Sequence, residues 1–169
     1  MDEMKMDMSG GSITLGTLNA AAALKIPLNI VGLVPASENM PSGTAIKPGD
    51  ILKSMSGKTI EVLNTDAEGR LILADALSYA KKYDPELVID AATLTGSALR
   101  AIGDQAAVIM GTASEKVFSV LENSGENTHE RIVKFPLWDE YAEELKSPIA
   151  DIKNLGGPNA GAISAGKFL

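Results

Sequence analysis

An α/β domain of three layers, α/β/α, around a mostly parallel but mixed central sheet is what this chain predicts, and three observations predict it. Short apolar runs alternate with helix-like stretches from about residue 9 to residue 121. The run at 28–34 is apolar and β-branched rather than alternating, as in strands buried on both faces. One hairpin signal, Ser56-Gly57 between two strand-like runs, adds an antiparallel pair and makes the sheet mixed. Open sheets of this kind hold ligands beyond the carboxyl ends of their strands, so a site is expected where strands hand over to helices.

The elements follow in order. Ser9-Gly10-Gly11-Ser12, then Ile13, Leu15, Leu18, Ala21, Ala22 and Leu24, read as a capped, alanine-rich helix that Pro27 ends, which puts Asp7 just before a helix N-terminus. Residues 28–34 form the first buried strand. Residues 51–55 and 58–62 form the hairpin, and its second strand leads into Asp66 and Glu68. Leu73, Ala76, Leu77 and Ala80 keep the i, i+3, i+4, i+7 rule, so 71–82 is an amphipathic helix closed near Asp84-Pro85. A strand at 87–92, a small-residue turn at 93–96, a short helix around Ala98, a strand at 106–110 and a helix through Val117, Val120 and Leu121 complete the pattern. Residues 125–130 read as an exposed loop, and Gly156-Gly157-Pro158-Asn159 as a second, mobile one.

With 169 residues the chain makes one domain, small for its class but large enough for a core. Apolar residues at 45% and charged ones at 22% are ordinary for a globular protein, which argues against disorder. No apolar run approaches the roughly 20 residues that span a bilayer. The polar, acidic start from Met1 to Asp7 lacks the basic and apolar regions of a signal peptide. A net charge of −7 without a basic cluster opposes nucleic acid and anionic membranes and favours neutral or cationic partners. Zero cysteines exclude disulfides and thiolate ligands and fit a reducing cytoplasm, the expected location.

Chemistry concentrates in Asn64-Thr65-Asp66-Ala67-Glu68-Gly69-Arg70-Leu71. Two carboxylates offer hard oxygen ligands, and one carboxylate bridging two divalent ions would set them roughly 3.5–4 Å apart, the spacing of two-metal hydrolysis. Arg70 adds a planar cation suited to orienting an anion. The same residue types also occur on solvated helix starts, where acids merely favour the positive end of the helix dipole.

The complete eight-residue string resembles the metal-binding loop of the cytosol (leucyl) aminopeptidase family. Met4-Lys5-Met6-Asp7-Met8, Glu38-Asn39-Met40, Lys47-Pro48-Gly49-Asp50, Asp90-Ala91-Ala92-Thr93-Leu94-Thr95-Gly96, Ala150-Asp151-Ile152 and residues 162–169 resemble further segments of that family, in the same order. The resemblance implies that Asp66 and Glu68 are metal ligands, Glu68 bridging two ions, and that Asp7 serves the second ion. It implies that Arg70 holds a bicarbonate ion as general base, that Thr93, Leu94 and Gly96 shape the substrate pocket, and that Met4 lines the side-chain pocket. The implied cofactors are two divalent ions, and carboxylate ligands suit Mn2+ or Zn2+, with Mg2+ as a further choice. The implied substrates are peptides with a free amino terminus, and the implied assembly is a hexamer of dimerised trimers. His129, the sole histidine, reads as a surface residue, and Glu38-Asn39-Met40 has no assignable role.

The family also uses a Gly-Lys-Gly-x-x-Phe-Asp type segment for further ligands and a carbonyl-polarising lysine, which residues 1–169 do not contain; Phe118, Phe135 and Phe168 stand in other contexts. Residues 1–169 are therefore expected to be a partial, truncated catalytic domain with little activity by itself. The rival expectation is a non-catalytic remnant acting as a binding or assembly module.

Overall fold

The computed structural model describes residues 2–169. A 3-10 helix over Asp2–Met8 runs directly into helix α1, Ser9–Ala23. The helix has no side-chain cap, since its N-cap residue is Met8, and the Ser9 hydroxyl that follows donates back to the Met6 carbonyl. Leu24 and Ile26 close its last turn by donating to Ala20 and Ala21 ahead of Pro27.

The hairpin forms as expected, from β1 (Ile51–Lys53) and β2 (Thr59–Glu61), antiparallel with Leu52 opposite Ile60. Its turn needs Gly57, whose φ of 90° is a left-handed conformation that a side chain resists. Asp75, on helix α2 (Gly69–Ala80), accepts from the Met55 amide at 2.7 Å and ties that turn to the helix. Helix α2 begins two residues earlier than its pattern predicts and ends in a 3-10 turn, Lys81–Tyr83, with Asp84 left-handed before Pro85. Helices α3 (Gly96–Ile102) and α4 (Glu115–Thr128), strands β3 (Ala107–Ile109), β4 (Ile132–Lys134) and β5 (Ile152–Lys153), and helix α5 (Gly161–Phe168) follow.

The fold is mixed α/β, with two small sheets. One is three-stranded, β1-β2-β5, with β5 parallel to β2; the other is the parallel pair β3-β4. The buried centre joins Ile60, Leu145 and Phe168, with Leu71, Ala74, Ile152 and Leu169 packed against it. Helix α5 is the most buried helix, with Ala162, Ile163, Ser164, Ala165 and Phe168 all buried. Its Gly166 lies under the Met110 side chain, which would have to turn aside for a Cβ there, 2.3 Å from Sδ.

Two expected central strands are not strands. Residues 28–34 and 87–92 join no ladder among the described residues, and their side chains are open to solvent, Leu28 at 71% and Ile89 at 63%. A β-strand exists only by virtue of a hydrogen-bonded neighbour, and an apolar sequence does not supply one. Helix α1 nevertheless crosses both segments: a Cβ on Gly10 would meet the Ala91 carbonyl, and one on Gly32 would meet Leu18 and Thr14.

Residues 125–130 are not a loop either. They close α4, with Gly125 buried because a Cβ there would lie 2.6 Å from the Glu130 carbonyl oxygen, and with His129 as the exposed, left-handed C-cap. The loop at 156–159 is tethered, since the Gly157 amide donates to Glu144 Oε2 at 3.0 Å.

Asp151 joins β5 to β2. Its Oδ2 accepts from both the amide and the hydroxyl of Thr59, each at 2.7 Å, and its own amide donates to Thr59 Oγ1. The amide and then the hydroxyl of Thr59 hold the Asp151 carboxyl below the usual carboxylate range. A folded-state pKa below the unfolded one means the contribution is complete above the ordinary value of about 3.9 and is lost as pH falls through the lower folded value. Melting curves recorded from about pH 5 to about pH 2 are expected to fall less steeply for Asp151→Asn than for the unaltered chain.

Candidate functional site

Strand β2 delivers the chain to Val62, which is fully buried and locked by two backbone bonds: its amide donates to Asp50 and its carbonyl accepts from Gly49. Beyond it the chain must turn sharply into α2, and Asn64 makes the turn. Its Oδ1 accepts from the Asp66 amide at 2.9 Å, capping the single 3-10 turn Thr65–Ala67. Glu68 then starts α2, its carbonyl taking the amides of Leu71 and Ile72.

Asp66 is left exposed, Glu68 half-buried and Arg70 almost wholly buried, at 6% exposure. Glu68 Oε2 lies in the interior with no hydrogen-bond partner. A buried carboxylate oxygen in that state is costly unless a cation meets it. Burial holds the Arg70 guanidinium below its ordinary pKa, while the negative charge of Glu68 pulls it back up. The charge of Glu68 thus acts on Arg70 through space, with no ion pair or hydrogen bond joining the two among the described residues, and the acid keeps one oxygen free.

The other expected residues lie elsewhere. Asp7 sits near the end of the first 3-10 helix, exposed, and Thr93 donates its hydroxyl to Asp7 Oδ1 at 2.6 Å while also lying 2.8 Å from the Asp7 carbonyl. Thr93 and Asp7 are therefore brought together. Met4 is exposed on the same 3-10 helix, Leu94 is half-buried, and Gly96 opens α3. Among the described residues no three acidic, histidine or cysteine side chains gather as a group able to hold an ion, so Asp7, Asp66 and Glu68 are not drawn into one cluster. Asp7 is instead engaged by Thr93.

A residue with no motif of its own stands behind the loop. Asn154, fully buried, reaches from the end of β5 to the backbone of residues 63, 64 and 67. Its only sequence signal is its place one step past a strand that pairs with β2.

Comparison with known proteins bears on the same residues. The model of the cytosol aminopeptidase family, catalytic domain, matches residues 1–169. Probable cytosol aminopeptidases of Syntrophotalea carbinolica and Azotobacter vinelandii are 53% and 54% identical over the whole chain, which covers 34% of each. The chain thus spans about a third of the length of the curated relatives it matches. Among solved structures, a mutant of tomato leucine aminopeptidase is 40% identical with a TM-score of 0.88 over 98% of this chain and 33% of that one. The bottromycin maturation enzyme BotP in complex with Mn is 34% identical with a TM-score of 0.92 over 98% of this chain and 37% of that one. No described helix is long and apolar enough to cross a membrane.

Proposed function

Because the chain belongs to the cytosol aminopeptidase family, we propose that it carries one face of a metal-dependent aminopeptidase site, built on Asp66, Glu68 and Arg70 and completed by Asp7. The observation that carries this reading is the free, buried Oε2 of Glu68, two residues before the buried Arg70 on which its charge acts. A carboxylate oxygen has lone pairs and no proton, so the partner it lacks is a cation or a hydrogen-bond donor. A hard divalent ion fits, and a relative that binds Mn favours Mn2+, with Zn2+ and Mg2+ as the alternatives for a carboxylate set.

Divalent ions held there would supply Lewis-acid polarisation of a peptide carbonyl and an acidified water. Glu68, Asp66 and Asp7 are the residues that would hold them, Glu68 as the shared ligand that the family resemblance implies. Asp7 would exchange part of its contact with Thr93 for a metal. Arg70 orients an anion beside the ligands, bicarbonate by resemblance to the family, and an anion so placed accepts a proton as general base. Thr93, Leu94, Gly96 and Met4 would shape the pocket for an amino-terminal residue. The substrates are peptides with a free amino terminus, the location is the cytoplasm and the assembly is a hexamer.

Titration of the purified chain with Mn2+, followed by calorimetry and elemental analysis, is expected to show binding that the chain retains on gel filtration. Leucine amide hydrolysis by the chain alone is expected to be slow or absent, since residues 1–169 lack the further ligand segment and carbonyl-polarising lysine that the family resemblance implies. A chain that takes up no divalent ion at millimolar concentration defeats this reading.

A further inference from the structure

The side chain of Asn154 meets the metal-site loop with its full hydrogen-bonding capacity. An asparagine has two amide donors and a carbonyl oxygen with two lone pairs. Asn154 Oδ1 accepts from the amides of Leu63 at 2.8 Å and Asn64 at 3.3 Å, and Nδ2 donates to the carbonyls of Asn64 at 2.7 Å and Ala67 at 3.4 Å. All four partners are backbone groups of residues 63–67, the stretch that leads from Val62 to Glu68. The residue is fully buried, so water offers no substitute.

The other end of Asn154 is equally fixed. Its amide donates to the Glu61 carbonyl at 2.9 Å, extending the β2-β5 ladder by one step. Beyond it, Gly156 is pressed against Ser164, where a Cβ would come within 2.9 Å, and the Gly157 amide is held by Glu144. A residue anchored on both sides in the chain and saturated at its tip acts as a strut between α5's surroundings and the loop.

We propose that Asn154 is the positioning residue of the metal site, setting the backbone of residues 63–67 so that Asp66 and Glu68 face their ions, without touching those ions itself. The proposal rests on the reading of Asp66 and Glu68 as ligands. No other side chain meets the demand: aspartate lacks the two donors and adds a buried charge, leucine offers nothing to four backbone groups, and glutamine carries the same amide one carbon too far. Supporting partners of metal ligands typically contribute about 10- to 100-fold in metal affinity.

The experiment compares the unaltered chain with Asn154→Ala and Asn154→Gln by amide hydrogen exchange and by Mn2+ titration. In Asn154→Ala the Leu63 and Asn64 amides are expected to exchange at least about tenfold faster relative to Leu52 and Ile60 in the neighbouring ladder, with Mn2+ affinity down about 10-fold or more. Asn154→Gln, which keeps every donor and acceptor and is the variant to use should the alanine chain not fold, is expected to show the same local rise. A purely structural role would speed exchange in both regions alike and leave the Mn2+ affinity of the folded chain unchanged, and either result overturns the proposal. Should the unaltered chain take up no Mn2+, the ligand reading fails, while exchange confined to residues 63–67 still supports the strut and uniform exchange overturns it.

Discussion

Gly10→Ala is expected to be the most damaging single methyl that this fold can receive. The new Cβ would stand 2.1 Å from the Ala91 carbonyl oxygen, 2.8 Å from its carbon and 3.1 Å from Ala92 Cα. Unstrained carbon contacts lie near 3.5–4.0 Å, so α1 must retreat by about 1 Å or more. All three obstacles are backbone, so no side-chain rotation relieves them. A cost of about 3 kcal/mol or more follows from overpacking of this kind, with Tm lowered by roughly 6–12 °C for a chain of this size. Retreat of α1 also pulls Asp7, two residues before the helix, away from Thr93, two residues after Ala91. The matched control is Gly16→Ala on the same helix, where a Cβ meets nothing within 4 Å. There a gain of about 0.5–1 kcal/mol is expected, because alanine is the better helix former. Equal melting temperatures for the two variants would refute the close approach of α1 to residues 91 and 92.

Glu68→Gln is expected to lose metal binding and stability together, and the two losses have different causes. With the acid in place, Mn2+ should raise Tm by mass action, since it binds the folded loop and not the unfolded chain. In the glutamine variant that rise should vanish. A glutamine amide leaves an unpartnered polar atom in the same place, so in the metal-free chain the change that counts is the loss of negative charge near the buried Arg70. Glu68 is half-buried and makes no ion pair with Arg70, so the loss should be about 1 kcal/mol, roughly 2–4 °C in Tm, well under the cost of breaking a fully buried pair. Adding Arg70→Met to Glu68→Gln should recover most of that loss, because an apolar residue leaves no cation to neutralise. A double variant no more stable than Glu68→Gln alone would show that the charge of Glu68 does not act on Arg70.

Local rules made much of the chain legible. The Ser56-Gly57 hairpin, the periodic helix through Leu73, Ala76, Leu77 and Ala80, the short helix at Ala98 and the strand at 107–109 all stand where pattern and turn chemistry put them. What was not legible depends on partners distant in sequence. Residues 28–34 and 87–92 have strand composition, but ladder formation is a property of two segments, and the described residues supply no second one. Gly125 looked like punctuation and is instead a close approach between a helix and the Glu130 carbonyl, a fact about packing that one residue's identity does not carry. At the site, the eight-residue motif marked Asp66, Glu68 and Arg70, and the fold buries Arg70 and leaves Glu68 Oε2 buried without a partner. Asn154 was invisible for the opposite reason, because a lone asparagine after a strand is unremarkable until the strand's pairing brings it to the loop.

The buried trio of Ile60, Leu145 and Phe168 has a bearing on how the chain comes to be folded in the cell. Its first and last members are separated by roughly 100 residues, which makes closure of the core a long-range event and a slow one by the usual dependence on sequence separation. During vectorial synthesis at about 5–20 residues per second, Ile60 leaves the peptidyl transferase centre on the order of 5–20 s before Phe168 is even polymerised. Through that interval the hairpin and α2 exist as nascent structure with an unsealed apolar flank. Strand β5, which fixes the ladder of β2, is likewise a late arrival. The core around Ile60 therefore stays open until α5 has been made.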